Sequence, residues 1–320
     1  MAIVQISQIT NRKGLQDDLP QLAGAELGWA VDSRRLFIGN GTLAEGAPVI
    51  GNTEILTEFS DITVLSNYTY ADIAVGYAAQ TGPTPSTPIV RTVQAKLDDF
   101  ADIRDFGAVG NGTTDDTDAI NRALYQLYCR ENNTEIRRSL FFPAGTYLVS
   151  ETIMIPTFAK LYGEGANSSV ILLATGSASS YVAQYADSRQ QTGVNIGNNG
   201  ATPPQNIEIS SMGFQTVDAN DVFLVEDATQ CSFTNVNFIG PLTQTDIISN
   251  LGGDDIAGVR FASTTSLVCS QIIFDICGFF NLTYGVNTDQ QIAAVTVSNS
   301  SFNTLYQGIV LGSGSPVNGG

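Results

Sequence analysis

DFGAVGNGTTDDT, Asp105 to Thr117, decides how the rest of this chain is read. A short apolar strand (Ile103, Phe106, Val109) runs into glycine turns at Gly107, Gly110 and Gly112. An acidic Thr/Asp cluster follows, and then a helical pattern begins. Ile120, Ala123, Leu124, Leu127 and Tyr128 fall at i, i+3, i+4, i+7, i+8 spacing, with Asp115 or Asp116 placed to cap the helix. Capping and turn hydrogen bonds account for both aspartates, so the pair is not read as an active site.

Downstream, Ser139 to Leu173 breaks into short apolar runs separated by Pro143–Gly145, Pro156 and Gly163–Gly165. Further on, Phe214, Phe238, Phe279 and Phe302 each close a similar short strand, at spacings of 24, 41 and 23 residues. A period near 23 suits one turn of a coiled parallel sheet, with the phenylalanines as a core ladder. The long interval then holds one turn plus an insertion of about 18 residues within Gly240–Gly258. Asn235 and Asn299, each three residues before its Phe, are placed to stack as an amide ladder. Residues 139–320 have room for about seven to eight coils, a rod of about 35 Å at ~4.8 Å per strand.

Asp105–Thr117 and Ser139–Leu173 resemble the pectate-lyase-like superfamily of right-handed parallel β-helices, in the form carried by bacteriophage tailspikes and tail fibres. The resemblance implies a mainly β fold over residues 103–320. The helix bearing Ile120, Leu124 and Leu127 would close the open end of the stack.

The upstream segments differ. Within residues 1–58, Ala25–Gly41 reads as a β-hairpin: Leu27, Trp29 and Val31 alternate on one arm, Leu36 and Ile38 on the other, with Asp32-Ser33 at the turn. A unit this small buries little surface and needs a neighbour. The hairpin resembles a short module at the N-termini of phage receptor-binding proteins. That resemblance implies attachment to tail or baseplate proteins, with Leu27, Trp29, Leu36 and Ile38 at the interface. Residues 59–102 read as a linker and neck. Tyr68–Ala79 has spacing that fits helix and strand equally, and the prolines of Thr81–Pro88 limit both. Val93, Leu97 and Phe100 return to helical spacing in Arg91–Ile103. Three such stripes around one axis would bury each other, and the helix-then-DFGAVG order resembles tailspike necks, so a homotrimer is expected.

Composition narrows the function. The 320-residue chain is 43% hydrophobic and only 14% charged, a balance suited to short strands and tight turns. Its formal charge of −17 disfavours nucleic acid and anionic membrane as partners. There is no histidine, which removes histidine triads and histidine-ligated metal centres. Four dispersed cysteines lack CxxC spacing, and no signal peptide or bilayer-spanning apolar run is legible. Buried thiols in a chain made and assembled in the bacterial host cytoplasm are the expectation. No cofactor and no metal site is expected.

Without histidine, carboxylate pairs are the available catalytic material. The candidates are Glu226, Asp227, Asp254 and Asp255, with Arg260 near in sequence, although adjacent aspartates in a loop are ordinarily turn residues. Tyr181 and Tyr185, in the polar stretch Thr175–Gln205, could stack on sugars or anchor a loop. The expected function is a structural and host-recognition subunit of a phage tail, located in the virion and presenting its β-helix to a host cell-surface glycan. The alternative is a capsule or lipopolysaccharide depolymerase, hydrolase or lyase, on the same scaffold. GSGSPVNGG at the C-terminus carries no capping pattern, so a β-helix incomplete at that end is expected.

Overall fold

A computed structural model describes residues 12–47, 49–60, 66–69, 89–129, 138–186, 190–192, 195–197, 203–250, 255–262, 269–288 and 292–311. The chain divides into two compact units, Met1–Asp99 and Phe100–Gly320.

In the first unit, Leu27–Ala30 and Arg35–Gly39 pair antiparallel, with Leu27 opposite Ile38 and Trp29 opposite Leu36. Arg34 adopts φ 54° in the turn. Arg12–Gly14 adds a parallel edge strand and Asn52–Ile55 an antiparallel one. Gly28, Ala30 and Gly39 form a buried face under Leu22. The approach is so close that a Cβ on Gly39 would lie 2.0 Å from the Ala23 carbonyl oxygen. Leu27, Trp29, Leu36 and Ile38 lie half-buried on the opposite face, beside an exposed Ile55.

Asn67–Thr69 pairs antiparallel with Val90–Thr92, so Tyr68 is in a strand; residues 70–88 lie outside the described part. The helical stripe predicted over Arg91–Ile103 is cut to one short helix, Val93–Leu97, capped by Thr92 accepting from the Ala95 N–H at 3.0 Å. Arg91 closes it by binding both the Ala95 carbonyl and Asp99, and Ala101–Asp102 is already a strand. Val93 is half-buried, whereas Leu97 and Phe100 are 55% and 66% exposed.

The second unit is a parallel β-helix with three sheet faces. One face aligns Ala101, Leu140, Leu161, Ile209, Phe233, Phe274 and Val297 in successive coils. A second aligns Tyr147, Ile171, Phe214, Phe238, Phe279 and Phe302. The third aligns Ile153, Ala183, Phe223, Val259, Val286 and Ile309. The predicted phenylalanine ladder exists: the Phe238 and Phe279 ring centroids are 5.1 Å apart, those of Phe279 and Phe302 4.8 Å, and both pairs are stacked.

Among the described residues, six coils follow from Leu140 onward, against the seven to eight expected. Insertions use up the difference. One carries an antiparallel hairpin, Gln190–Thr192 with Asn195–Gly197, and the other, in Gly240–Gly258, carries the helix Gln244–Asn250.

The corners are set by residues in the left-handed region. Phe158, Asn206, Gln230, Gln271 and Ala294 occupy one corner in five coils, with φ between 54° and 65°. Ser211, Asn235, Ile276 and Asn299 occupy a second, with φ between 47° and 56°. Asn235 and Asn299 therefore do not stack on each other, because Ile276 stands between them. Asn235 donates to Ser211 Oγ at 3.2 Å and Asn299 to Asp275 Oδ1 at 2.8 Å.

The cap forms as expected from the periodicity. Thr117–Leu124 lies over the stack with Ile120 and Leu124 fully buried, and Leu127 packs against the core from a short π-helical turn. Ile103–Phe106, expected as a strand, is instead a 3₁₀ turn ended by Gly107 at φ 99°. Asp102 and Asp105 close that turn as a reciprocal cap, so extended backbone is not needed there.

Candidate functional site

Asp116 is 1% exposed and accepts hydrogen bonds from the Val109 and Gly110 N–H groups at 2.7 and 3.0 Å. It secures the glycine turn. Asp115 accepts from the Thr117 N–H at 3.0 Å and from the Ser150 hydroxyl at 2.6 Å, tying the helix start to the next coil. Burial works against the charge on Asp115, but the Ser150 and Thr117 bonds outweigh it and hold the carboxyl below its ordinary range. Both aspartates hold structure, as the sequence implied.

Of the carboxylates proposed for chemistry, the described ones, Glu226, Asp227 and Asp255, do not converge. Asp254 lies outside the described residues. Glu226 ends the strand Asp221–Glu226, and Asp227 is a 6%-exposed corner residue at φ 49° whose N–H donates to the Ala262 carbonyl. Asp255 is at the other end of the same face. Its Oδ1 is 2.9 Å from Arg260 Nη2, and Arg260 also binds Asp221. Five residues of extended chain, about 16 Å, separate Asp221 from Glu226. Two carboxylates working on one glycosidic bond are no more than about 9.5 Å apart.

What the structure does bring together is Asp221, Arg260 and Asp255. Asp221 was missed in the sequence because it is 39 residues from Arg260; only the coil register makes them neighbours. Its Oδ1 also accepts from the Ala257 N–H at 2.6 Å. Burial alone pulls the guanidinium down, but the bonds to Asp221 and Asp255 more than offset this and leave it above its ordinary value. A guanidinium held by two carboxylates is a poor proton donor. The cluster pins the strand that follows the insertion helix.

Tyr185 is not a surface ring. It is fully buried among Phe223 and Phe233, with its hydroxyl unpartnered, because strand alternation over Tyr181–Ala186 turns it inward. Tyr181 is half-buried at the edge of that strand. Cys231, Cys269 and Cys277 are buried thiols, pushed up by burial to about 12, 11 and 11; Cys129 is partly exposed. Among the described residues no group of three His, Cys, Asp or Glu could hold a metal, and no helix is long and apolar enough to cross a membrane.

The family model for rhamnogalacturonase A/epimerase, pectate lyase-like, matches residues 100–312, the span of the three-faced coil. The chain belongs to that pectate-lyase-like family. Its fold is also similar to that of tailspike protein 3 of bacteriophage CBA120, at TM-score 0.51 and 13% identity, covering 89% of this chain and 47% of that one. ORF18 of Geobacillus virus E2 covers 92% of this chain and 55% of its own, at 15% identity and TM-score 0.48. Among curated proteins, a probable glucan endo-1,3-beta-glucosidase of Arthroderma benhamiae is 37% identical over 76 residues, 22% of this chain and 9% of that protein. A glucan 1,3-beta-glucosidase of Cochliobolus carbonum is 33% identical over 69 residues, 20% of this chain and 9% of its own. This member of the pectate-lyase-like family thus spans about a tenth of the curated relatives it matches and about half of the viral structures.

Proposed function

We propose that the chain is a subunit of a phage tail fibre or tailspike that presents a glycan-facing β-helix to the host surface. On this reading residues 1–58 attach to the tail or baseplate, 59–102 form a trimeric neck, and 103–320 are the rod. One observation carries it. Among the described residues of the Met1–Asp99 unit, the buried apolar side chains are Leu22 and Ala30, while Leu43, Val49, Ile50, Leu56, Ile89 and Leu97 are all more than half exposed. A unit that buries so little of its apolar surface is stable only when other chains cover it. Leu27, Trp29, Leu36 and Ile38 supply the attachment face, and Val93, Leu97 and Phe100 the trimer contact. The likeness in fold to a tailspike over 89% of this chain is in keeping with that reading.

Light scattering on the full chain tests the neck: a trimer is expected, and a monomer at micromolar concentration overturns it. A chain lacking residues 1–99 is expected to lose association with phage particles.

A depolymerase remains the second reading, favoured by the family model and by the two glucanase relatives. Shortening of host polysaccharide by the purified chain would establish it.

A further inference from the structure

A cavity of about 460 Å³ opens beside the cap helix, between the turns that lead into the third sheet face in consecutive coils. Asn121, Glu151, Thr152, Met154, Ala178 and Ser179 line it. The volume is within the range of about 300–1,000 Å³ typical of small-ligand clefts.

Asn121 is the informative residue. Only 9% exposed, it stands on the cap helix between Ile120 and Ala123, and its side-chain amide meets no partner among the described residues. Asparagine is a poor helix former, and this amide, open to the cavity rather than sealed in the core, has its donors and acceptor available to a ligand. The other polar groups are arranged to meet one. The Thr152 hydroxyl donates to the Tyr181 carbonyl at 2.7 Å, which leaves its lone pairs to accept. Ser179 Oγ accepts from the Thr152 N–H at 3.0 Å, which leaves its proton to donate. Glu151 is an exposed acceptor and Met154 a half-buried apolar surface.

The geometry points to a binding site for one neutral sugar ring of a glycan, its vicinal hydroxyls on Asn121, Thr152 and Ser179 and its C–H face on Met154. The lining carries one negative charge and no cation, with Asp115 bonded to the adjoining Ser150, so uronates and other acidic sugars are repelled. This rests on the reading of the rod as glycan-facing and narrows its ligand class. The site was not legible in the sequence, because Asn121 and Ser179 are brought together only by coil stacking.

Isothermal titration of the full chain with neutral tetrasaccharides of glucose, galactose and rhamnose, and with tetragalacturonate, tests it. At least one neutral probe is expected to bind with Kd below about 1 mM, and tetragalacturonate at least about tenfold more weakly. Asn121→Leu should weaken the neutral probe about tenfold. Ala178→Trp, at an exposed wall position, should block binding with the fold intact by circular dichroism. Absence of binding by every neutral probe, equal binding by tetragalacturonate, or unchanged binding in Ala178→Trp overturns the site. Since the assay uses soluble chain, such a result leaves the tail reading standing, and that reading is tested on particles.

Discussion

Ile276 and Asn299 occupy the same left-handed corner of consecutive coils, at φ 56° and 47°. Asparagine tolerates that conformation; a β-branched side chain does so at a cost of about 1–2 kcal/mol. Ile276 is 54% exposed, so little burial offsets the strain. Ile276→Asn is expected to stabilise the β-helix by about 1 kcal/mol, a rise of roughly 2–4 °C in the melting temperature. Calorimetry checks it, and a fall in melting temperature would show that the isoleucine is held by contacts outweighing the strain.

Two buried tyrosines should respond in opposite directions to losing the hydroxyl. Tyr147 donates to the Pro143 carbonyl at 2.8 Å, and its burial pushes the phenol up to about 12. Tyr185 has no partner for its hydroxyl. Tyr147→Phe is expected to cost about 1 kcal/mol, and Tyr185→Phe to gain about 1 kcal/mol or more. Denaturant titration of the pair reads the difference.

Arg260→Met should release the clamp on the insertion. It leaves Asp221, whose side chain is 11% exposed, without its cation, at a cost of about 2–3 kcal/mol. Limited proteolysis is expected to cut within residues 240–256 several-fold faster than in the parent chain. Asp254→Ala/Asp255→Ala should leave any glycan-shortening activity unchanged; its loss would restore Asp255 as a catalytic candidate.

The pH dependence has a definite sign. Hydrogen bonds from Asn299 and Ser298 hold Asp275 below its ordinary range, and bonds from Thr243 do the same for Asp246. Asp115 is held low as well. A depressed folded-state value means that the stabilisation is complete above the unfolded carboxylate value of ~3.9 and is lost as pH falls through the folded values. With no histidine to titrate near neutrality, the melting temperature should be flat between about pH 5.5 and pH 8 and fall below about pH 4. A step near pH 6.5 would contradict this.

The fold was legible where one residue type does one job repeatedly. Glycines with φ of 68° to 99° at Gly107, Gly110 and Gly112 mark real turns, and Phe238, Phe279 and Phe302 mark real coils. The corners were not legible, because Phe158, Gln230, Gln271 and Ala294 have no sequence habit of adopting positive φ; stacking imposes it. The burial of Tyr185 was not legible, because a polar neighbourhood says nothing about which way a strand residue points. Nearness in sequence did place Arg260 with Asp255, but the third member of that cluster, Asp221, is supplied by coil register alone.

The attachment role of the N-terminal unit is the centre of the functional reading, and one measurement addresses it directly. Electron microscopy of phage particles carrying this chain, gold-labelled separately at residue 1 and at residue 320, should show the first label at the tail or baseplate and the second farther out. Label at residue 1 on the distal tips, or no label on particles at all, would contradict it.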